Sequence, residues 1–167
     1  MMVNGRWEVT FPAARYLFGR TEMEYWRTEL RIQDGTPLSG SMAETYGDSV
    51  KPVFDAGLAD MVETDHRICD EVRLVSTPGH TAGHVSVRIE SQGEVGFITG
   101  DSMHHPCQLV HQHWSPGVDH DAEVATGTRR ALINDLADTP TLVIGTHWAG
   151  ATAGRIVKDG GTYRLAL

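Results

Sequence analysis

Apolar and polar positions alternate along the chain in two periods, and the switching between them predicts its elements. Residues 14–18 read as a short strand closed by Gly19. Residues 21–31 follow with helical spacing: Met23, Trp26 and Leu30 share a face, and Thr21 with Glu24 has the form of a capping box. Residues 33–41 are polar and turn-rich, a predicted loop. Val50, Val53 and Phe54 restore helical spacing within 43–56, where Pro52 predicts a start near Ser49 or a kink, and Gly57 a stop. Residues 58–63 and 66–69 read as short strands or extended connections, and 72–75 as a buried strand. Residues 85–89 and 95–99 form a predicted antiparallel hairpin about Gly93, and Asn4-Gly5 signals another near the start. The longest helix is predicted over 121–137, burying Val124, Thr128, Ala131, Leu132 and Leu136. A strand at 142–144 and a glycine-turned hairpin over 157–165 end the chain. Strands alternating with helices, with no linker between them, predict one α/β layered domain over 1–167.

Composition narrows the function classes. The 167 residues carry a net charge of −8, from 14 basic and 22 acidic side chains. That balance disfavours a nucleic-acid footprint and an anionic membrane surface. No apolar run approaches the ~18 residues of a membrane span, and no charged-then-apolar leader pattern opens the sequence. Cys69 and Cys107 form no CxxC pair and read as free thiols, so a cytoplasmic protein is expected.

The candidate chemistry lies in three similar settings. His80 follows an apolar strand and a Pro78-Gly79 turn. Asp101 follows residues 96–100, and His147 follows residues 142–146. In each case a strand, then a small-residue turn, projects a potential ligand. Two imidazoles and one carboxylate bind zinc, iron or manganese and leave positions open for water. Ser102 to Gly117 continues as a long irregular segment, which in a compact domain is often functional. His104 and His105 stand at its start as spare donors or substrate contacts.

The order Thr77-Pro78-Gly79-His80-Thr81-Ala82-Gly83-His84, then Thr99-Gly100-Asp101, then Gly145-Thr146-His147 resembles the metallo-β-lactamase superfamily. The resemblance spans about Trp7 to Leu165. It implies an αβ/βα sandwich of two similar halves and a hydrolase in which metal-bound hydroxide attacks a lactone or ester. It makes His80 a ligand of a first metal, Asp101 the bridge between two metals and His147 a ligand of the second, with Asp101 and His147 at the reacting centre. His84 would support the ligands, and His104 and His105 would lie on the substrate loop. Zinc is the implied metal, with iron or manganese as substitutes, and the implied partner is a small-molecule substrate.

One expected motif is missing. The HxHxDH signature of that superfamily lies upstream of the position of His80, yet residues 1–79 hold a single histidine, His66, in Thr64-Asp65-His66-Arg67. Residues 1–20 resemble the segment just past HxHxDH in lactonase-like members, so the sequence reads as starting beyond that motif. The second half of the fold is then expected complete and the first incomplete, with an uncovered apolar face that favours a homodimer. The alternative is a catalytically silent fragment or binding domain that keeps a partial metal site.

Overall fold

The computed structural model describes residues 1–29 and 41–167, which form two compact units, Met1–Glu63 and Thr64–Leu167.

In the first unit, Met2–Val3 (β1) and Arg6–Trp7 (β2) pair antiparallel through a turn in which Asn4 and Gly5 both take positive φ, 49° and 76°. This is the hairpin that the Asn-Gly pair predicts. Tyr16–Gly19 (β3) pairs in parallel with Ala59–Val62 (β4). Helix α1 (Arg20–Glu29) starts directly from β3. Thr21 therefore lies inside the first turn and cannot serve as the cap of the expected capping box. Met23 is buried as predicted, whereas Leu30 and most of the predicted loop at 33–41 lie outside the described residues.

Residues 41–55 are helical throughout: α2 (Ser41–Thr45), a π-helical turn at Tyr46–Val50, then α3 (Lys51–Asp55). The wide turn answers the problem that Pro52 poses. Proline has no N–H to give to a carbonyl four residues back, and its ring crowds that carbonyl. Here Pro52 stands in the first turn of α3, where that donor is not required. Gly57 then stops the helix at φ 68°.

The second unit is a six-stranded sheet of order β10-β9-β8-β7-β6-β5. Its strands are Val72–Ser76 (β5), Val85–Ser91 (β6), Glu94–Ile98 (β7), Leu142–Ile144 (β8), Ala153–Asp159 (β9) and Thr162–Ala166 (β10). All neighbours are antiparallel except β7 and β8, which run in parallel. A parallel pair needs a crossover, and helix α4 (Ala122–Leu136) supplies it. Phe97, Val143 and Ile156 pack with Leu132, Ile133 and Leu136 of α4, and with Met103, Leu109 and Trp148, into one core.

The buried face of α4 differs from the predicted one. Leu132 and Leu136 are buried as expected, but Val124 is 43% exposed, Ala131 is exposed and Thr128 is only half-buried. Ala125, Arg129 and Ile133 are buried instead. The reason is Arg129, which a hydrophobic count assigns to solvent. Its guanidinium is fully buried and bonded on several sides, so the helix turns to admit it.

Candidate metal centre

The turn between β5 and β6 is held by the start of α4. Gly79 has φ 129°, and a Cβ there would lie 2.3 Å from the Ala125 Cα and backbone nitrogen. Only glycine permits this approach. Backbone N–H groups of Asp121 and His120 donate to the carbonyls of Gly79 (2.9 Å) and His80 (3.0 Å). The Thr128 hydroxyl donates to the Pro78 carbonyl at 2.7 Å. His80 is thus presented from a clamped loop, with its side chain 16% exposed.

Asp101 comes from the 3₁₀ turn Gly100–Ser102 that ends β7. His84 holds it from behind. Its Nε2 accepts the Asp101 backbone N–H at 2.9 Å, so its Nδ1 carries the proton and faces the Thr77 carbonyl at 3.0 Å. His84 is therefore a brace between two loops. Gly100 makes room for it, since a Cβ there would meet the ring at 2.7 Å. Beneath, Ser86 and Ser102 hydroxyls both donate to the Thr99 carbonyl at 2.9 Å.

His147 follows β8, where the parallel pairing of β7 and β8 places the two strand ends side by side. Trp148 anchors it. That ring is 3% exposed and lies over Gly145, where a Cβ would come within 2.1 Å of it.

The three residues meet. Asp101 Oδ2 lies 3.3 Å from His80 Nε2, and Oδ1 lies 3.1 Å from His147 Nε2. A fourth residue joins them. His104 stacks on His147 with 5.5 Å between ring centres and sits 5.0 Å from the His80 ring. Ligand atoms of His80, Asp101 and His104 all fall within 4.8 Å of one another. His104 Nδ1 is buried and has no hydrogen-bond partner among the described residues. Burial, and then the neighbouring His80, lower the His104 pKa from the ordinary imidazole value, a shift toward the neutral ring. His105 goes elsewhere: it is exposed, and its Nδ1 accepts the Cys107 N–H at 3.0 Å, capping the 3₁₀ turn Pro106–Leu109.

Behind His80 stands a group that sequence reasoning did not single out. Asp119 Oδ1 lies 3.1 Å from His80 Nδ1, and the Asp119 side chain is fully buried. Its Oδ2 accepts from the Ser115 hydroxyl and from Arg129 Nη2 at 3.4 Å. Arg129 also donates to the carbonyls of Ser102, Gln112 and Trp114 at 3.2, 3.0 and 3.0 Å. Burial pulls its pKa down and Asp119 pulls it back. A charged residue in an irregular loop, 39 positions from His80, carries no periodic signal, and only its pairing with the buried arginine of α4 reveals it.

This donor set fits a divalent cation. A carboxylate at Asp119 only accepts, so a neutral ring at His80 would carry its proton on Nδ1 and present a lone pair at Nε2. That lone pair faces a carboxylate oxygen at 3.3 Å. Two acceptors at that distance repel unless a proton or a cation lies between them. The orphaned nitrogen of His104 is a further donor aimed nowhere else. Imidazole and carboxylate suit zinc, iron or manganese alike.

No protein-family model and no curated relative matches the chain. Solved structures do. AbOPH, a hydrolase in the β-lactamase superfamily, superposes with a TM-score of 0.78 at 18% identity, over 94% of this chain and 56% of that one. AidC, a dizinc quorum-quenching lactonase solved with a homoserine product, matches with a TM-score of 0.74 at 17% identity, over 95% and 56%. A probable metal-dependent hydrolase from Staphylococcus aureus matches with a TM-score of 0.66 at 16% identity, over 95% and 54%. The chain spans about half the length of these structures. Its fold is that of the metallo-β-lactamase superfamily hydrolases and lactonases, the α/β class that the three loop motifs implied. No described helix is long and apolar enough to cross a membrane.

Proposed function

We propose that this chain is a metal-dependent hydrolase of the metallo-β-lactamase superfamily, acting on a lactone or ester through His80, Asp101, His147 and His104. The observation that carries this reading is Asp101, whose two oxygens face His80 Nε2 and His147 Nε2 at 3.3 and 3.1 Å. A bound divalent cation, zinc by preference, would polarise a carbonyl oxygen and acidify a water. His80, Asp101 and His104 would hold it. Asp101, between two imidazoles, is placed to take up a proton released as water attacks. His147 Nε2, 3.1 Å from Asp101 Oδ1, would receive that proton, and the His147 side chain, 52% exposed, could deliver it from Nε2 to the departing alcohol oxygen. AidC, with its homoserine product, supports a lactone as the first substrate to try.

The chain is further read as a single cytoplasmic domain that forms a homodimer. The sheet face turned away from α4 carries Val87, Ile89, Ile98 and Ile144, together with Leu142 at 38% exposure. Such a face favours association.

The test is metal content joined to turnover. Purified protein loaded with zinc and freed of excess is expected to retain about one equivalent, the number one such donor set holds. Hydrolysis of an acyl lactone and a simple ester is expected to disappear in His80→Ala and Asp101→Asn. Less than a tenth of an equivalent, or turnover unchanged by His80→Ala, would sink the proposal. Zinc held without turnover selects the second reading, a binding domain that keeps a metal site. That reading is favoured by a donor grouping that holds a single carboxylate.

A further inference from the structure

We propose that Asp119, locked in place by Arg129 and Ser115, is the positioning residue that sets the tautomer of His80 and aims its Nε2 at Asp101. This rests on the metal-centre reading above and deepens it.

A histidine can ligate through either ring nitrogen, and the free ring exchanges its proton between them. Which nitrogen is left with a lone pair depends on what the other one meets. At His80 the other one meets a carboxylate, with Nδ1 3.1 Å from Asp119 Oδ1. That carboxylate cannot turn away. The Ser115 hydroxyl and Arg129 Nη2 occupy its second oxygen, and the side chains of Asp119 and Arg129 both have no exposure. Water does not compete for either group. Asp119 is therefore a fixed acceptor, and it selects the Nδ1–H form of His80.

The arrangement also ties the cluster to the helix. Arg129 bonds the Ser102 carbonyl, one residue beyond Asp101, and the carbonyls of Gln112 and Trp114. One guanidinium thereby holds the segment that leaves Asp101 and the carboxylate that orients His80. Its planar fork suits this task, and a lysine ammonium could not reach all of these acceptors. Partners of this kind behind a metal-ligating histidine typically change metal affinity about 10–100-fold when removed.

The experiment has two arms. In metal-free wild-type protein, two-dimensional NMR of the imidazole nitrogens reads the His80 tautomer directly; a proton on Nδ1 is expected. Zinc affinity is then measured by competition with a chromophoric chelator for wild type, Asp119→Asn, Asp119→Glu and Gln108→Ala. Asn keeps the shape of Asp119 but offers its amide as readily as its oxygen, and is expected to weaken zinc binding about 10–100-fold. Glu, which keeps the charge, is expected to recover part of that loss. Gln108 holds the His104 loop through its side chain without touching His80, so Gln108→Ala reports loosening alone and is expected to leave the His80 tautomer unchanged. A neutral His80 ring in wild type with its proton on Nε2 and none on Nδ1 overturns the proposal even where Asp119→Asn fails to fold. So does a folded Asp119→Asn that binds zinc within twofold of wild type. A wild type that binds no zinc while His80 keeps the Nδ1 proton refutes the metal reading and leaves the tautomer assignment standing.

Discussion

Replacing Arg129 by methionine should be among the most damaging single changes in the second unit. Methionine fills much of the same channel, so the loss is electrostatic more than steric. The substitution leaves the Asp119 carboxylate buried with one neutral donor, Ser115, besides His80. It also strips a donor from three carbonyls, those of Ser102, Gln112 and Trp114. Breaking a buried ion pair by removing one partner costs about 3–5 kcal/mol. Both side chains here have no exposure, so solvent screening offers little relief. For a domain of this size, 1 kcal/mol moves the melting temperature by about 2–4 °C, and a fall of roughly 6–20 °C is expected. Differential scanning calorimetry measures it, with amide hydrogen exchange along α4 to locate the loss in the second unit. The double variant Arg129→Met, Asp119→Leu supplies the internal control. With no charge left in the channel, it should be more stable than Arg129→Met alone, because an apolar replacement of a buried pair is often close to neutral. A drop below about 1 kcal/mol for Arg129→Met, the range of an exposed pair, would refute the claim that this arginine organises the loop.

Two further changes probe the frame. Gly79→Ala puts a methyl group 2.3 Å from the backbone of Ala125 at a φ of 129°. Backbone strain and overpacking, each about 1–3 kcal/mol, should lower thermal stability and weaken zinc retention together, because His80 is the next residue. Thermal melts that match wild type would show that the loop and α4 do not press on each other. Asp121→Ala removes the side chain that accepts the N–H groups of Glu123 and Val124 at 3.0 Å; a loss of about 1 kcal/mol in urea unfolding is expected, and Asp121→Asn should retain most of it.

How far the sequence could be read depended on how local each signal was. The β5–β6 turn, the hairpin at β6–β7 and the loop after β8 all follow from short apolar runs bounded by glycine or proline, and with them His80, Asp101 and His147. Helix starts were harder. Thr21 and Glu24 have the spacing of a capping box, but β3 runs straight into α1, and pairing with β4 overrides a local preference of that size. The π-helical turn before Pro52 leaves no mark beyond the proline itself. The largest miss was Arg129. Hydrophobicity places an arginine outside, and only three-dimensional proximity to Asp119 and three carbonyls brings it in. Asp119 was hidden for the same reason, since its meaning depends on groups far from it in sequence. His104 and His105 are adjacent and alike, yet one joins the cluster and the other caps a turn, a difference set by Gln108 and the 3₁₀ turn between them and Trp114.

The one parallel pair in the six-stranded sheet has a kinetic meaning. β5, β6 and β7 form a meander whose pairs close short loops; Val87 and Ile98, for instance, pair across 11 positions. Phe97 and Val143, paired between β7 and β8, are 46 positions apart. Closing that loop costs about 1.2 kcal/mol more than closing the shorter one, two doublings at about 0.6 kcal/mol each. The meander carries His80, His84 and Asp101, whereas His147 arrives only with the crossover. The loop lengths predict that the cluster assembles in two instalments: the meander residues approach one another first, and His147, together with the α4 contacts that fix the His80 turn, follows when the helix has packed across the sheet.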